Sequence, residues 1–130
     1  MKIRRIILIV VIVIILVLWA GSTFLNAGMD ELQNIQLEKQ DLNDKADGDY
    51  YGQCTIGRWK NELVLTIKDN KITDIRVIKD QTGGGEEVRD QIFNAVLAEQ
   101  RVPVDAVAGA TVTSNGYLQA MVDALQGGPQ

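Results

Sequence analysis

The sequence predicts an α+β fold: a small antiparallel sheet, a three-strand meander, with two packing helices, preceded by one transmembrane helix and a helical stalk. Three observations carry this reading. An apolar run of 20 residues, Ile6 to Leu25, stands near the N-terminus. Three stretches between Asp49 and Ile78 alternate apolar and polar residues, the period of a half-buried strand. Two later stretches, Glu86–Gln100 and Asn115–Leu125, place apolar residues three and four apart, the period of a helix.

The apolar run comes first in the chain. Ile6 to Ala20 holds 15 apolar residues without interruption, and Gly21 to Leu25 extends them. About 20 residues at 1.5 Å rise match a hydrocarbon core of about 30 Å. Lys2, Arg4 and Arg5 precede the run. The excess of positive charge on that side predicts a cytoplasmic N-terminus (1–5), a signal anchor (6–25) and everything beyond it outside the cell membrane, single-pass. The competing reading is a cleaved signal peptide. Cleavage after Ala27 would put Leu25 at the third position back, where a small residue is favoured. The domain that follows carries 10 basic and 17 acidic residues, a charge of −7. That charge predicts no nucleic-acid partner.

Residues 26–46 are read as the stalk. Met29, Leu32, Ile35, Leu37 and Leu42 make a thin apolar stripe with no Gly or Pro between Met29 and Asn43. "DKADGD" breaks the pattern, and the folded domain is placed at 47–126, with a tail at 127–130. "DYYGQCTI" puts Tyr50, Gly52, Cys54 and Ile56 on one side of a strand, Cys54 reading as a small core residue. "ELVLTIK" turns Leu63, Leu65 and Ile67 inward; "DNK" is a turn; "KITDIRVI" returns with Ile75 and Val77. The helix at Glu86–Gln100 has Val88, Ile92, Phe93 and Val96 on its apolar face, with Pro103 beyond its end. The last helix has Leu118, Met121, Val122 and Leu125.

Composition excludes several chemistries. There is no His, so His-based dyads, triads and metal sites are ruled out. One Cys permits neither an internal disulfide nor a cysteine metal cluster.

The most particular stretch is "DAVAGATVTSNGYL", Asp105 to Leu118. Its small residues are too small for a core. It reads as a loop entering a helix, whose first turn has free N–H groups and a partial positive charge suited to a phosphate. Thr113 or Ser114 is expected to cap that helix. An ordinary Thr/Ser cap after a tight turn explains the same residues. "GRWKN", Arg58 to Asn61, offers two readings for Trp59: a lid on the end of the sheet, or a surface on which a ring stacks. Tyr117 is expected to face either a ligand or solvent.

Three segments in order, "DGDYYGQC", "VLTIKDNKITDIRVI" and "DAVAGATVTSNGYLQAMVDAL", resemble the FMN-binding domain family from about Asp47 to Leu125. That family includes the C subunit of the sodium-pumping NADH:quinone reductase and the G subunit of the Rnf complex. The resemblance implies that Thr111, the Thr of Gly-Ala-Thr, carries FMN through a phosphoester. A separate flavin transferase drawing on FAD would attach it. It also implies cofactor-binding roles for Asp105, Gly109, Ala110, Thr113 and Ser114, and for Thr82 and Gly84 in the glycine loop. Two departures stand out. Ala108 replaces the usual Ser or Thr, and "DQTGGGEE" has Gln81 and Gly83 where the family loop has Glu and Pro. The expected function is an extracytoplasmic flavoprotein relaying electrons between a redox donor and an acceptor that the sequence does not identify. A membrane-anchored binding or scaffold module without flavin is the alternative.

Overall fold

A computed structural model describes residues 1–83 and 85–129. Helix α1, Lys2–Asn26, is apolar and exposed along its length, with a mean hydropathy of 3.0 in its most apolar window. It is long and apolar enough to cross a bilayer. Three strands follow: β1 Gly48–Cys54, β2 Asn61–Lys68 and β3 Lys71–Lys79. They pair antiparallel in the order β1-β2-β3, the expected meander. Asp69 and Asn70 make the β2–β3 turn with φ of 52° and 61°. Two left-handed residues in a two-residue hairpin loop match the right-handed twist of the strands, and Asp and Asn tolerate that conformation.

One face of the sheet is covered. Tyr50, Gly52 and Cys54 of β1 and Leu63, Leu65 and Ile67 of β2 are buried, as their alternation predicts. Ile72 joins them from β3. The cover is the last helix, Thr111–Gly127, flanked by the helix Glu86–Glu99. The last helix lies almost on the backbone of β1. A Cβ at Gly52 would stand 2.0 Å from the Ala120 carbonyl oxygen and 2.6 Å from the Ala124 Cβ. Gly52, Ala120 and Ala124 therefore set the spacing between helix and sheet. Leu118, Met121, Val122 and Leu125 are all buried, as expected.

The stalk departs from expectation. Only Met29–Gln33 is helical, and it forms α2; residues 34–47 are irregular. With that short helix counted, the two later helices are α3 (Glu86–Glu99) and α4 (Thr111–Gly127). The apolar stripe does not project into solvent. Leu32 is fully buried and Leu42 nearly so, both within the core, while Ile35 and Leu37 pack against it. The segment works as a strap along the domain. Asn115 Nδ2 donates to the Leu32 carbonyl (2.7 Å), the Gln40 N–H to Val102 O (2.8 Å), and Lys45 Nζ to Leu125 O (2.6 Å). Among the strap's own backbone groups, the Gln40 N–H is held by this tertiary bond, while the Asn43 and Lys45 N–H groups turn onto Asp41 Oδ1 and Leu42 O nearby.

Three stability measurements test this packing. Gly52→Ala must displace helix backbone and is expected to cost at least the about 1–3 kcal/mol of ordinary overpacking. Gly127→Ala, with open space around it, is expected to cost far less. Leu118→Ala is expected to cost about 2–5 kcal/mol. A soluble fragment beginning at Gly28 is expected to be more stable in urea than one beginning at Lys45. The shorter fragment loses Leu32 and Leu42, each worth about 1.5–3 kcal/mol when buried.

Candidate functional site

Helix α4 begins at Thr111, earlier than the expected Asn115. Its N-cap is Ala110, and no side chain caps it. Thr113 and Ser114 lie inside the first turn, so neither takes the capping role expected of it. Ser114 turns backward: its hydroxyl donates to the Ala110 carbonyl (2.7 Å) and accepts from the Val107 N–H (3.0 Å). The Ala110 N–H closes on Val107 O at 2.9 Å. The small-residue loop is thus a tight turn stitched to the helix through Ser114. The N–H groups that open α4 have no side-chain acceptor and carry the positive end of the helix dipole.

Thr111 is exposed at the head of this helix. It lies in a cleft of about 370 Å³ with Gly109, Ala110, Val112 and Thr113. Arg58 and Trp59 from the β1–β2 loop and Met29 and Gln33 from α2 complete the lining. Gly109 has φ of +79° and nothing within 4 Å of an added Cβ, so the backbone there is open to a visitor. The Arg58 guanidinium carbon sits 4.8 Å from the centre of the Trp59 ring, a cation–π contact. Trp59 is buried, as a residue closing the sheet would be, and also walls the cleft. Among the described residues the buried Arg58 Nε has no hydrogen-bond partner. The cleft therefore combines an exposed hydroxyl, a cation, an aromatic wall and a helix N-terminus. That donor set suits a phosphate joined to a flat ring, and the volume falls in the range of small-molecule sites.

The glycine loop lies against the same helix start. A Cβ at Gly83 would come 3.2 Å from Arg58 Nη1, and one at Gly85 would come 2.9 Å from Thr113 Cγ2. Gln81 is buried and donates through Nε2 to the Thr113 carbonyl (3.3 Å). Thr82 is exposed and does not line the cleft, and Gly84 lies outside the described residues. Asp105 is also exposed and away from the cleft, its charge felt by Arg101. The structure thus brings Thr111, Gly109, Ala110 and Thr113 together, with Ser114 behind them as the stitch.

A family model described as FMN-binding domain matches residues 59–126, from Trp59 through nearly all of α4. The chain belongs to the FMN-binding domain family. That membership supports FMN as a ligand of the domain. A second cleft, of about 580 Å³, opens at the far end of the sheet between Lys39, Leu42, Asn70 and Arg101. None of the motif residues reaches it, so its greater size carries no functional weight.

One group of side chains escaped the sequence reading. Tyr117 is buried and faces neither cleft nor solvent: its hydroxyl donates to Asp80 Oδ1 at 2.6 Å, and its ring meets Phe93 edge-on at 5.9 Å. Arg89 of α3 pairs with the other Asp80 oxygen. Asp80 thereby ties the end of β3, α3 and α4 into one block beneath the glycine loop. Partial burial works against the Asp80 charge. Hydrogen bonds from Tyr117, the Gln81 N–H and Arg89 outweigh it and hold this carboxyl below its ordinary range. Burial and the Asp80 carboxylate push the Tyr117 phenol up. Nothing in the local sequence links residues 80, 89 and 117.

A depressed folded-state pKa gives stability that is present above the unfolded value, about 3.9, and lost as pH falls through the folded value. Asp80→Asn is therefore expected to lower stability at pH 7 and to flatten its decline below about pH 4. Tyr117→Phe is expected to cost about 1.5–3 kcal/mol at neutral pH, the range for a hydrogen bond to a charged group. Urea denaturation across pH reads both.

Proposed function

We propose that this protein is a membrane-anchored, extracytoplasmic flavoprotein. FMN is joined to Thr111 through a phosphoester, and the domain relays electrons between a redox donor and an acceptor. The observation that supports the reading best is Thr111 itself. It is an exposed hydroxyl at an uncapped helix N-terminus, in a cleft walled by Arg58 and Trp59. Bound FMN supplies the redox chemistry. The chain's own residues hold and tune it. The α4 N-terminus and Arg58 offset the negative charge of the phosphoester. Trp59, nearly buried, backs the Arg58 guanidinium at the cleft wall. Arg58 also favours negative charge on a reduced ring.

Among the described residues that line the cleft none is a carboxylate that could take the Thr111 proton. The family resemblance implies that a separate flavin transferase attaches the group, the Thr111 hydroxyl displacing AMP from FAD. Ala108, exposed beside Gly109, leaves the motif one hydroxyl short of the family pattern.

Co-expression with a flavin transferase, followed by a denaturing gel read by flavin fluorescence, tests the attachment. Thr111→Val is expected to leave a folded, dark protein. Thr113→Val is expected to dim the band at most, and Ala108→Ser to brighten it. A dark wild type with an active transferase would favour the flavin-free scaffold reading. Arg58→Met is expected to lower the potential of the attached flavin, each tenfold loss of preference for the reduced form being about 30 mV for a two-electron couple. Topology has its own check: a C-terminal phosphatase fusion is expected to be active outside the cell, and a cytoplasm-dependent fluorescent fusion to be dark.

A further inference from the structure

We propose that the Thr111 cleft is a membrane-surface site that opens onto the lipid headgroup layer beside the chain's own anchor. The inference rests on reading α1 as the anchor, and it deepens the flavoprotein reading by placing the site.

Chain length carries the first part of the argument. Met29 and Gln33 line the same cleft as Thr111. Helix α1 ends at Asn26, three residues before Met29. Three Cα–Cα steps span at most about 11 Å, whatever angle the domain takes to the helix. The headgroup layer on one side of a bilayer is about 5–8 Å deep. The rim of the cleft that Met29 forms therefore stays within or just above that layer.

Packing carries the second part. The end of α1 is seated on the loop that supplies the cleft's other wall. A Cβ at Gly57 would stand 1.9 Å from the Ala27 carbonyl oxygen, and one at Gly28 would stand 2.7 Å from Ile56 Cγ2. Both glycines have positive φ, so this turn admits the contact only because side chains are missing. Arg58 and Trp59 follow Gly57 directly and hold Thr111's surroundings against the anchor exit.

The strap explains how the chain achieves this. Residues 34–47 travel to the far end of the sheet, and β1 then returns toward the membrane, from Gly48 opposite Ile67 to Cys54 opposite Asn61. The hairpin turn at Asp69–Asn70 lies about 23 Å away along the strands, at about 3.3 Å per residue. The domain thus has a near end, which holds the Thr111 cleft, and a far end, which holds the hairpin.

Nitroxide labels on the full chain in nanodiscs test the proposal without any flavin. Labels go at Ala108→Cys beside the cleft, Thr73→Cys near the far end, and Leu16→Cys within α1. Cys54 is buried, and the unsubstituted chain serves as the labelling control. The discs carry a nickel-chelating lipid, whose headgroup broadens nearby nitroxide spectra. The Ala108 label is expected to broaden several-fold more than the Thr73 label, and the Leu16 label to show high oxygen and low aqueous-nickel accessibility. Equal broadening at Ala108 and Thr73 with a lipid-embedded Leu16 overturns the placement and leaves the anchor standing. A water-accessible Leu16 overturns the anchor reading and the placement with it. Neither result bears on whether Thr111 carries FMN.

Discussion

The close seat of α4 on β1 at Gly52 is the constraint on which the rest depends. A helix normally stands off a sheet by the thickness of two side-chain layers. Here Gly52 offers none, and Ala120 and Ala124 offer one methyl each. The helix drops onto the strand, and its fixed height sets what its first turn can touch. Leu118, Met121, Val122 and Leu125 fill the core, while the N-terminus of the same helix meets the Arg58–Trp59 loop and the glycine loop. One rigid element therefore carries both the core and Thr111. Asp80, Tyr117 and Arg89 brace it from the side, and Asn115 clamps it to α2 through the Leu32 carbonyl.

Much of this was legible in the sequence because its signals are local. Period-two alternation located the three strands within a residue or two, and Asp69–Asn70 marked the hairpin turn. The helical stalk that the sequence predicts is a strap instead, because a thin stripe of Leu and Ile has the same spacing on a helix as on a segment that dips repeatedly into a core. Only the partners of Leu32 and Leu42 decide between them, and those lie far along the chain. The start of α4 was placed late because Thr113 and Ser114 resemble caps. The structure spends the Ser114 hydroxyl on the preceding turn instead. Of the motif residues, Thr111, Gly109, Ala110 and Thr113 converge on the cleft, while Asp105 and Thr82 stand in solvent.

The site is legible as chemistry because of what surrounds the hydroxyl. A threonine at a helix start is common. One that shares a cleft with a guanidinium, an indole and uncapped N–H groups is a place where an anion with a flat ring fits. Membership of the FMN-binding domain family makes FMN the ligand of reference, and the short path from Asn26 to Met29 ties that cleft to the end of the apolar helix. The glycine loop contributes nearness: its small residues pack beside Arg58 and Thr113 without filling the space in front of them.

The central claim is that Thr111 bears the flavin, and peptide mass spectrometry addresses it most directly. Trypsin cuts after Arg101, and no Lys or Arg lies between it and Ser114, so one peptide beginning at Val102 contains Thr111, Thr113 and Ser114. Protein matured with an active flavin transferase should yield this peptide heavier by one FMN less one water, with fragmentation placing the increment on Thr111. An unmodified peptide, or an increment on Thr113 or Ser114, would contradict the account.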